Sequence, residues 1–80
     1  MMKAKVYVTL KKGVLDPQGK AVMGALKTMS FDEVRDVRIG KFMEIEIDGA
    51  SKEKEEARIK EMCERLLANT VIENYRIEIE

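Results

Sequence analysis

The chain has eighty residues, fifteen basic and fifteen acidic side chains that cancel, one cysteine and no histidine. Balanced charge leaves no global field to draw in nucleic acid or an anionic membrane, so neither is an expected partner. One cysteine cannot form an internal disulfide, and without histidine there is neither a recognisable zinc site nor the commonest general base.

Residues 1–80 read as a single domain, without repeats, linkers or low-complexity segments. A domain this small buries only about 60% of its unfolded surface. With disulfide and metal excluded, oligomerisation is the expected source of added stability. No run approaches eighteen apolar residues, and the start Met1-Met2-Lys3-Ala4-Lys5-Val6 lacks the apolar core of a signal peptide, so a cytoplasmic location is expected.

In chain order, residues 3–10 alternate Ala4, Val6, Val8 and Leu10 against Lys3, Lys5, Tyr7 and Thr9, the period of a half-buried strand. The outward lysines suit Glu44 and Glu46 on a neighbouring strand. Asp16 is a good helix N-cap and Pro17 fits the first helical position, where a missing N–H costs nothing. Ala21, Val22, Ala25, Leu26 and Met29 follow at helical spacing, a stripe expected to lie on the sheet with Gly24 marking close packing. Phe31 is expected to fold back onto the core.

Residues 36–48 hold one phase, with Val37, Ile39, Lys41, Met43, Ile45 and Ile47 on one side and Arg38, Glu44 and Glu46 on the other. The phase runs straight through Gly40, which predicts one long central strand bent there; a hairpin at Gly40-Lys41 would break it in two. A strand of roughly twelve residues overhangs its neighbours, and an overhanging edge asks for a partner. Ser51 then caps a second helix whose Ile59, Met62, Cys63, Leu66 and Leu67 share a face. Asn69 suits a left-handed C-cap, and Tyr75, Ile77 and Ile79 alternate with Arg76, Glu78 and Glu80 in a last strand. The fold class is α+β, a two-layer sandwich with two helices on one face of a small antiparallel sheet, close to a ferredoxin-like arrangement.

Chemistry is harder to find. Cys63 sits on an apolar stripe, where a thiol is structural and inert. Gly13 and Gly19 lack the Gly-Lys-Ser or Gly-Lys-Thr of a phosphate loop. Glu44, Glu46, Asp48, Glu78 and Glu80 alternate on strands as a solvated face, the charged run 52–56 reads as a solvated helix start, and the methionines of the apolar stripes read as core filling. No catalytic or metal-binding residue is expected, and the chain reads as a binding or assembly module. Lys41 has an inward phase that a covered sheet would penalise, which places it at a boundary with Arg38 beside it. Val14, Leu15 and Phe42 are apolar where a solvated turn or outer face needs no apolar group.

Four segments carry a resemblance: Val8-Thr9-Leu10-Lys11; Val14-Leu15-Asp16-Pro17-Gln18-Gly19 with Ala21; Asp36-Val37-Arg38-Ile39-Gly40-Lys41; and Cys63 to Ile72, with Leu66-Leu67-Ala68-Asn69 and Val71-Ile72-Glu73. In order and spacing the chain resembles the PurS family, the small subunit of phosphoribosylformylglycinamidine synthase. Thr70 departs from it, since relatives often carry proline after the asparagine. The resemblance implies a PurS-like fold and a non-catalytic assembly subunit of a purine-biosynthetic ligase. A large subunit would bind ATP and substrate, a glutaminase subunit would release ammonia, and dimers or higher oligomers of this chain would help the two associate. ATP, magnesium and glutamine would be used by the complex, with no cofactor on this chain. The matched motifs point to Asp16, Pro17, Gln18, Gly19, Arg38, Gly40 and Lys41 as partner-binding residues; a helix cap and a strand bend account equally well for Asp16, Pro17 and Gly40. The competing reading is a ferredoxin-like regulatory domain that binds a small ligand between subunits. RNA binding through the open sheet face is disfavoured by its acidic residues and by the lack of paired exposed aromatics.

Overall fold

A computed structural model describes residues 2–49 and 51–80. Three strands form one sheet: β1 (Met2–Leu10) at the centre, with β2 (Gly40–Ile47) and β3 (Glu73–Ile79) antiparallel to it on either side. Helix α1 (Pro17–Thr28) connects β1 to β2, and α2 (Lys52–Met62), extended by a π-helical turn at Cys63–Leu67, connects β2 to β3. The α+β class and the antiparallel sheet are as expected. The long strand is not central: β1 takes that place, and β2 is an edge strand that starts only at Gly40. Residues 36–39 keep the phase of the strand without pairing, because the N–H of Ile39 is taken by the Asp16 carboxylate rather than by β1.

The register sorts the side chains as the alternation required. Val6 lies between Met43 and Ile77, and Ala4 between Ile45 and Ile79, all on the face covered by α2. The outer face sets Lys3 and Lys5 opposite Glu46 and Glu44, with Lys3 Nζ 3.3 Å from Glu44 and Lys5 paired to Glu80. Tyr7 and Phe42 are cross-strand neighbours with ring centroids 5.0 Å apart, and the Arg76 guanidinium lies 4.3 Å over the Tyr7 ring. The outer face therefore does hold an aromatic pair, unlike the sequence reading. Arg76 covers Tyr7, and Glu44 and Glu78 flank it, so the pair makes a poor platform for stacking bases.

The buried apolar residues among those described come from β1 and from α2 with its extension and C-cap: Ala4, Val6, Val8, Ile59, Cys63 and Ala68. The π-helical turn decides which part of the second stripe faces in. The N–H of Ala68 bonds the Cys63 carbonyl, so one extra residue is wound into the last turn. That rotation turns Leu67 and Ala68 toward the core and leaves Leu66 82% exposed. Asn69 is not left-handed; Ser30 is the non-glycine residue with positive φ among those described. Instead the Asn69 side chain accepts the Val71 N–H while its own N–H donates to Glu73, a local turn that stands in for a left-handed cap.

The placing of α1 differs most from expectation. Its N-cap forms as predicted, with the Gly19 N–H donating to Asp16 Oδ1 at 2.8 Å. At the other end Phe31 N–H bonds Leu26 O and Ser30 N–H bonds Lys27 O, a Schellman pattern with serine at the left-handed position. Yet α1 makes no more than marginal contact with any strand or with α2. Val22 is 39% and Met29 64% exposed, Phe31 is exposed rather than folded onto the core, and Gly24 has nothing near it. Only α2 covers the sheet, and the molecule is drawn out to 50 × 25 × 14 Å. The cause is local: Gly19 is held against residue 37, and that contact aims the helix off the end of the sheet. Among the described residues, no helix is long and apolar enough to cross a membrane.

Candidate partner-binding surface

The start of α1 and the segment leading into β2 are brought together although some twenty residues of chain separate them. Asp16, 3% exposed, is the joint. One carboxylate oxygen accepts the Gly19 N–H of its own helix and the other accepts the Ile39 N–H at 2.7 Å. These backbone donors, Ile39 first and Gly19 second, hold the Asp16 carboxyl below its ordinary value; burial opposes them and the nearby Arg38 charge adds to them. Each oxygen holds a backbone N–H, so Asp16 joins the helix start to the segment before β2.

Two glycines allow this contact. A Cβ on Gly19 would run into the carbonyl oxygen of Val37, and one on Gly40 into the carbonyl oxygen of Val8. Arg38 reaches the other way: its Nη2 donates to the carbonyls of Lys11 at 3.1 Å and Val14 at 2.8 Å, tying down the turn after β1. Lys41, opposite Val8 on the inner face, extends past the helix layer with 59% of its side chain exposed. It stands 3.7 Å from Glu73, whose other oxygen holds the Asn69 N–H. The inward phase of Lys41 is thus accommodated by an open sheet end and a carboxylate.

Between these elements lies an open cleft of about 260 Å³. Val8, Leu10 and Ile39 give it an apolar floor, and Gln18, Lys41 and Glu73 a polar rim. Of the residues singled out from sequence, Asp16, Pro17, Gln18, Gly40 and Lys41 line this cleft, Gly19 packs behind it, and Arg38 faces a second hollow of about 400 Å³ with Lys12, Gly13 and Asp36. Asp16, Gly19 and Gly40 build the surface, whereas Pro17, Gln18, Arg38 and Lys41 are exposed on it. Sequence reasoning missed Glu73 and Ile39. The signal for Glu73 was the inward Lys41 itself, which needed a counter-charge near the sheet end. Leu15, 68% exposed beside the cleft, is an apolar group without cover in the single chain.

Residues 3–80 match the family model described as PurS, phosphoribosylformylglycinamidine (FGAM) synthase. The chain is 59% identical over its full length to the phosphoribosylformylglycinamidine synthase subunit PurS of Bacillus subtilis, covering 94% of that protein. It is 42% identical to the Methanocaldococcus jannaschii subunit PurS, again over its full length and covering 96% of that protein. The fold superposes on B. subtilis PurS with a TM-score of 0.89, covering 100% of this chain and 99% of that one. In the structure of PurLQS from Thermotoga maritima, a chain 28% identical superposes with a TM-score of 0.87, with 100% of this chain and 99% of that one covered. With sequence and fold in agreement over nearly the whole chain, the protein belongs to the PurS family of phosphoribosylformylglycinamidine synthase subunits.

Proposed function

We propose that this chain is a non-catalytic assembly subunit of phosphoribosylformylglycinamidine synthase in purine biosynthesis, acting in the cytoplasm as a homodimer or higher oligomer. It joins an ATP-using large subunit to a glutaminase subunit, so that ammonia passes between their sites without escaping to water, a proximity effect. ATP, magnesium and glutamine are handled by those other subunits. The observation that carries this reading is the use made of the matched motifs. Their one buried carboxylate, Asp16, is committed to two backbone donors, while Pro17, Gln18 and Lys41 present an open rim. Such a surface holds a partner and has no group poised for chemistry.

The test separates docking from chemistry. In a reconstituted synthase, Gln18→Ala and Lys41→Glu are expected to lower glutamine-dependent synthesis about tenfold or more and to leave synthesis from added ammonia unchanged. Equal loss from both nitrogen sources would place these residues in the chemistry of the large subunit, and no loss from either would remove the cleft from the interface.

A further inference from the structure

The formal net charge of zero hides a separation along the 50 Å axis of the chain. Antiparallel pairing puts the end of β1 and the starts of β2 and β3 at one end of the sheet, and their other termini at the opposite end. At that opposite end Glu44, Glu46, Asp48, Glu78 and Glu80 outnumber Lys3 and Lys5. The end that carries the turn after β1 is basic. Lys11 and Lys12 belong to the turn, Lys20 to the first turn of α1, and Arg35 and Arg38 flank the segment that Asp16 and Gly19 hold against the helix start. The acids beside these cations already have partners. Asp16 is buried on two backbone donors, Glu73 holds Lys41 and the Asn69 N–H, and Asp36 accepts the Val37 N–H at 3.0 Å. Asp32 and Glu33 stand farther out, where the Phe31 N–H bonds Leu26 O next to Lys27.

The cations are displayed on fixed backbone. The Val14 N–H closes the turn on the Lys11 carbonyl at 3.0 Å, and Gly13 takes the left-handed position at φ 97°, so Lys12 stands at the tip. Arg38 is held by the Lys11 and Val14 carbonyls, which occupy one guanidinium nitrogen and keep its charge at the hollow of about 400 Å³. A charge held in place before contact loses little freedom on binding. Leu15, exposed in the same connection, adds one large apolar side chain.

We propose that this basic end docks on an acidic face of another synthase subunit, where aspartate and glutamate side chains surround an apolar socket for Leu15. Asp36 lines the hollow together with Lys12 and Arg38, and its carboxylate repels a free phosphate held inside. Carboxylates spread over a protein face avoid Asp36 and still reach Lys12, Lys20 and Arg35. The same face repels the acidic far end, so the chain approaches it already oriented.

The docking presupposes the assembly reading above, and the experiment tells the two apart. Lys12 and Arg35 are exposed and make no ion pair among the described residues, so Lys12→Glu with Arg35→Glu is expected to keep the helix content and Tm of the wild type. Association of the full chain with the large subunit, and separately with the glutaminase subunit, is followed by stopped flow at about 50 and about 500 mM NaCl. With one of the two subunits the double variant is expected to associate about tenfold or more slowly than wild type at low salt, and the gap to close at high salt. Lys12→Gln with Arg35→Gln, which removes charge without reversing it, should slow association less and in the same direction. Glu56→Lys, at the acidic end, should associate as fast as wild type or faster. Equal rates for the double variant and wild type at low salt, a wild-type rate indifferent to salt, or equal slowing in Glu56→Lys would each overturn the acidic face and leave the assembly role standing. Loss of wild-type association on adding inorganic phosphate at matched ionic strength would overturn it too, by giving the hollow to a small anion. A wild-type chain that binds neither subunit, alone or mixed, overturns both.

Discussion

Two glycines in the same helix should respond oppositely to alanine. At Gly19 an added Cβ would stand well under 3 Å from the Val37 carbonyl oxygen and 3.0 Å from Asp16 Cγ. Restoring ordinary contact needs the 37–39 segment to move by about 1 Å. The neighbouring bond from Ile39 N–H to Asp16, 2.7 Å long, cannot stretch that far and survive. Overpacking of this kind costs about 1–3 kcal/mol, offset by up to about 1 kcal/mol of helix propensity gained on removing glycine. A net loss near the middle of that range, about 1.5 kcal/mol, corresponds to a Tm lower by about 6–12 °C in a domain of this size. Gly24 has nothing within 4 Å of its Cβ position and lies across the helix from the Val22, Leu26, Met29 stripe. Gly24→Ala should therefore stabilise by about 0.5–1 kcal/mol. Urea unfolding of both variants followed by circular dichroism measures the difference. A Gly19→Ala protein as stable as Gly24→Ala would show that α1 is not docked on residues 37–39 in solution, and the account of its direction would fail with it.

Other consequences can be measured as directly. Ser30 holds φ 72° at the end of α1, so Ser30→Gly should stabilise the protein by about 0.5–1 kcal/mol in the same assay. The Tyr75 phenol is pushed up to about 12, first by its hydrogen bond to Glu64 and then by burial. Its contribution to stability is thus complete below the ordinary value near 10 and lost as pH rises through about 12; in an alkaline titration at 295 nm, Glu64→Gln should move this tyrosine back toward 10. Asp16 has the opposite sign. Its folded carboxyl lies below the ordinary value, so its contribution is present above about pH 4 and lost as pH falls through the lower folded value. Asp16→Asn should lower the Tm at neutral pH and flatten the pH dependence of stability in the acid range, whereas an unchanged acid profile would show that the carboxylate does not bind Ile39 and Gly19 together.

Much of the local structure was legible because it depends on neighbours in sequence. Alternation placed Ala4, Val6 and Val8 inward, and Asp16 with Pro17 and Ser51 announced the two helix starts. The motif residues of the cleft could also be read, through their resemblance to the PurS family, as one group. What they do could not. Only contacts between distant segments show that Asp16 and Gly19 bind residues 37–39, that Arg38 anchors the carbonyls of Lys11 and Val14, and that Lys41 pairs with Glu73. The amphipathic stripe of α1 likewise states that the helix has an apolar face and says nothing of what covers it. By itself the sequence determined the elements, the inward faces of the strands and the family. The tertiary structure decided that β1 rather than β2 is central, that a π-helical turn selects Leu67 over Leu66, and that α1 leaves the sheet. Periodicity reports only the side of an element that avoids water, whereas its direction is set by single contacts such as a glycine against a carbonyl.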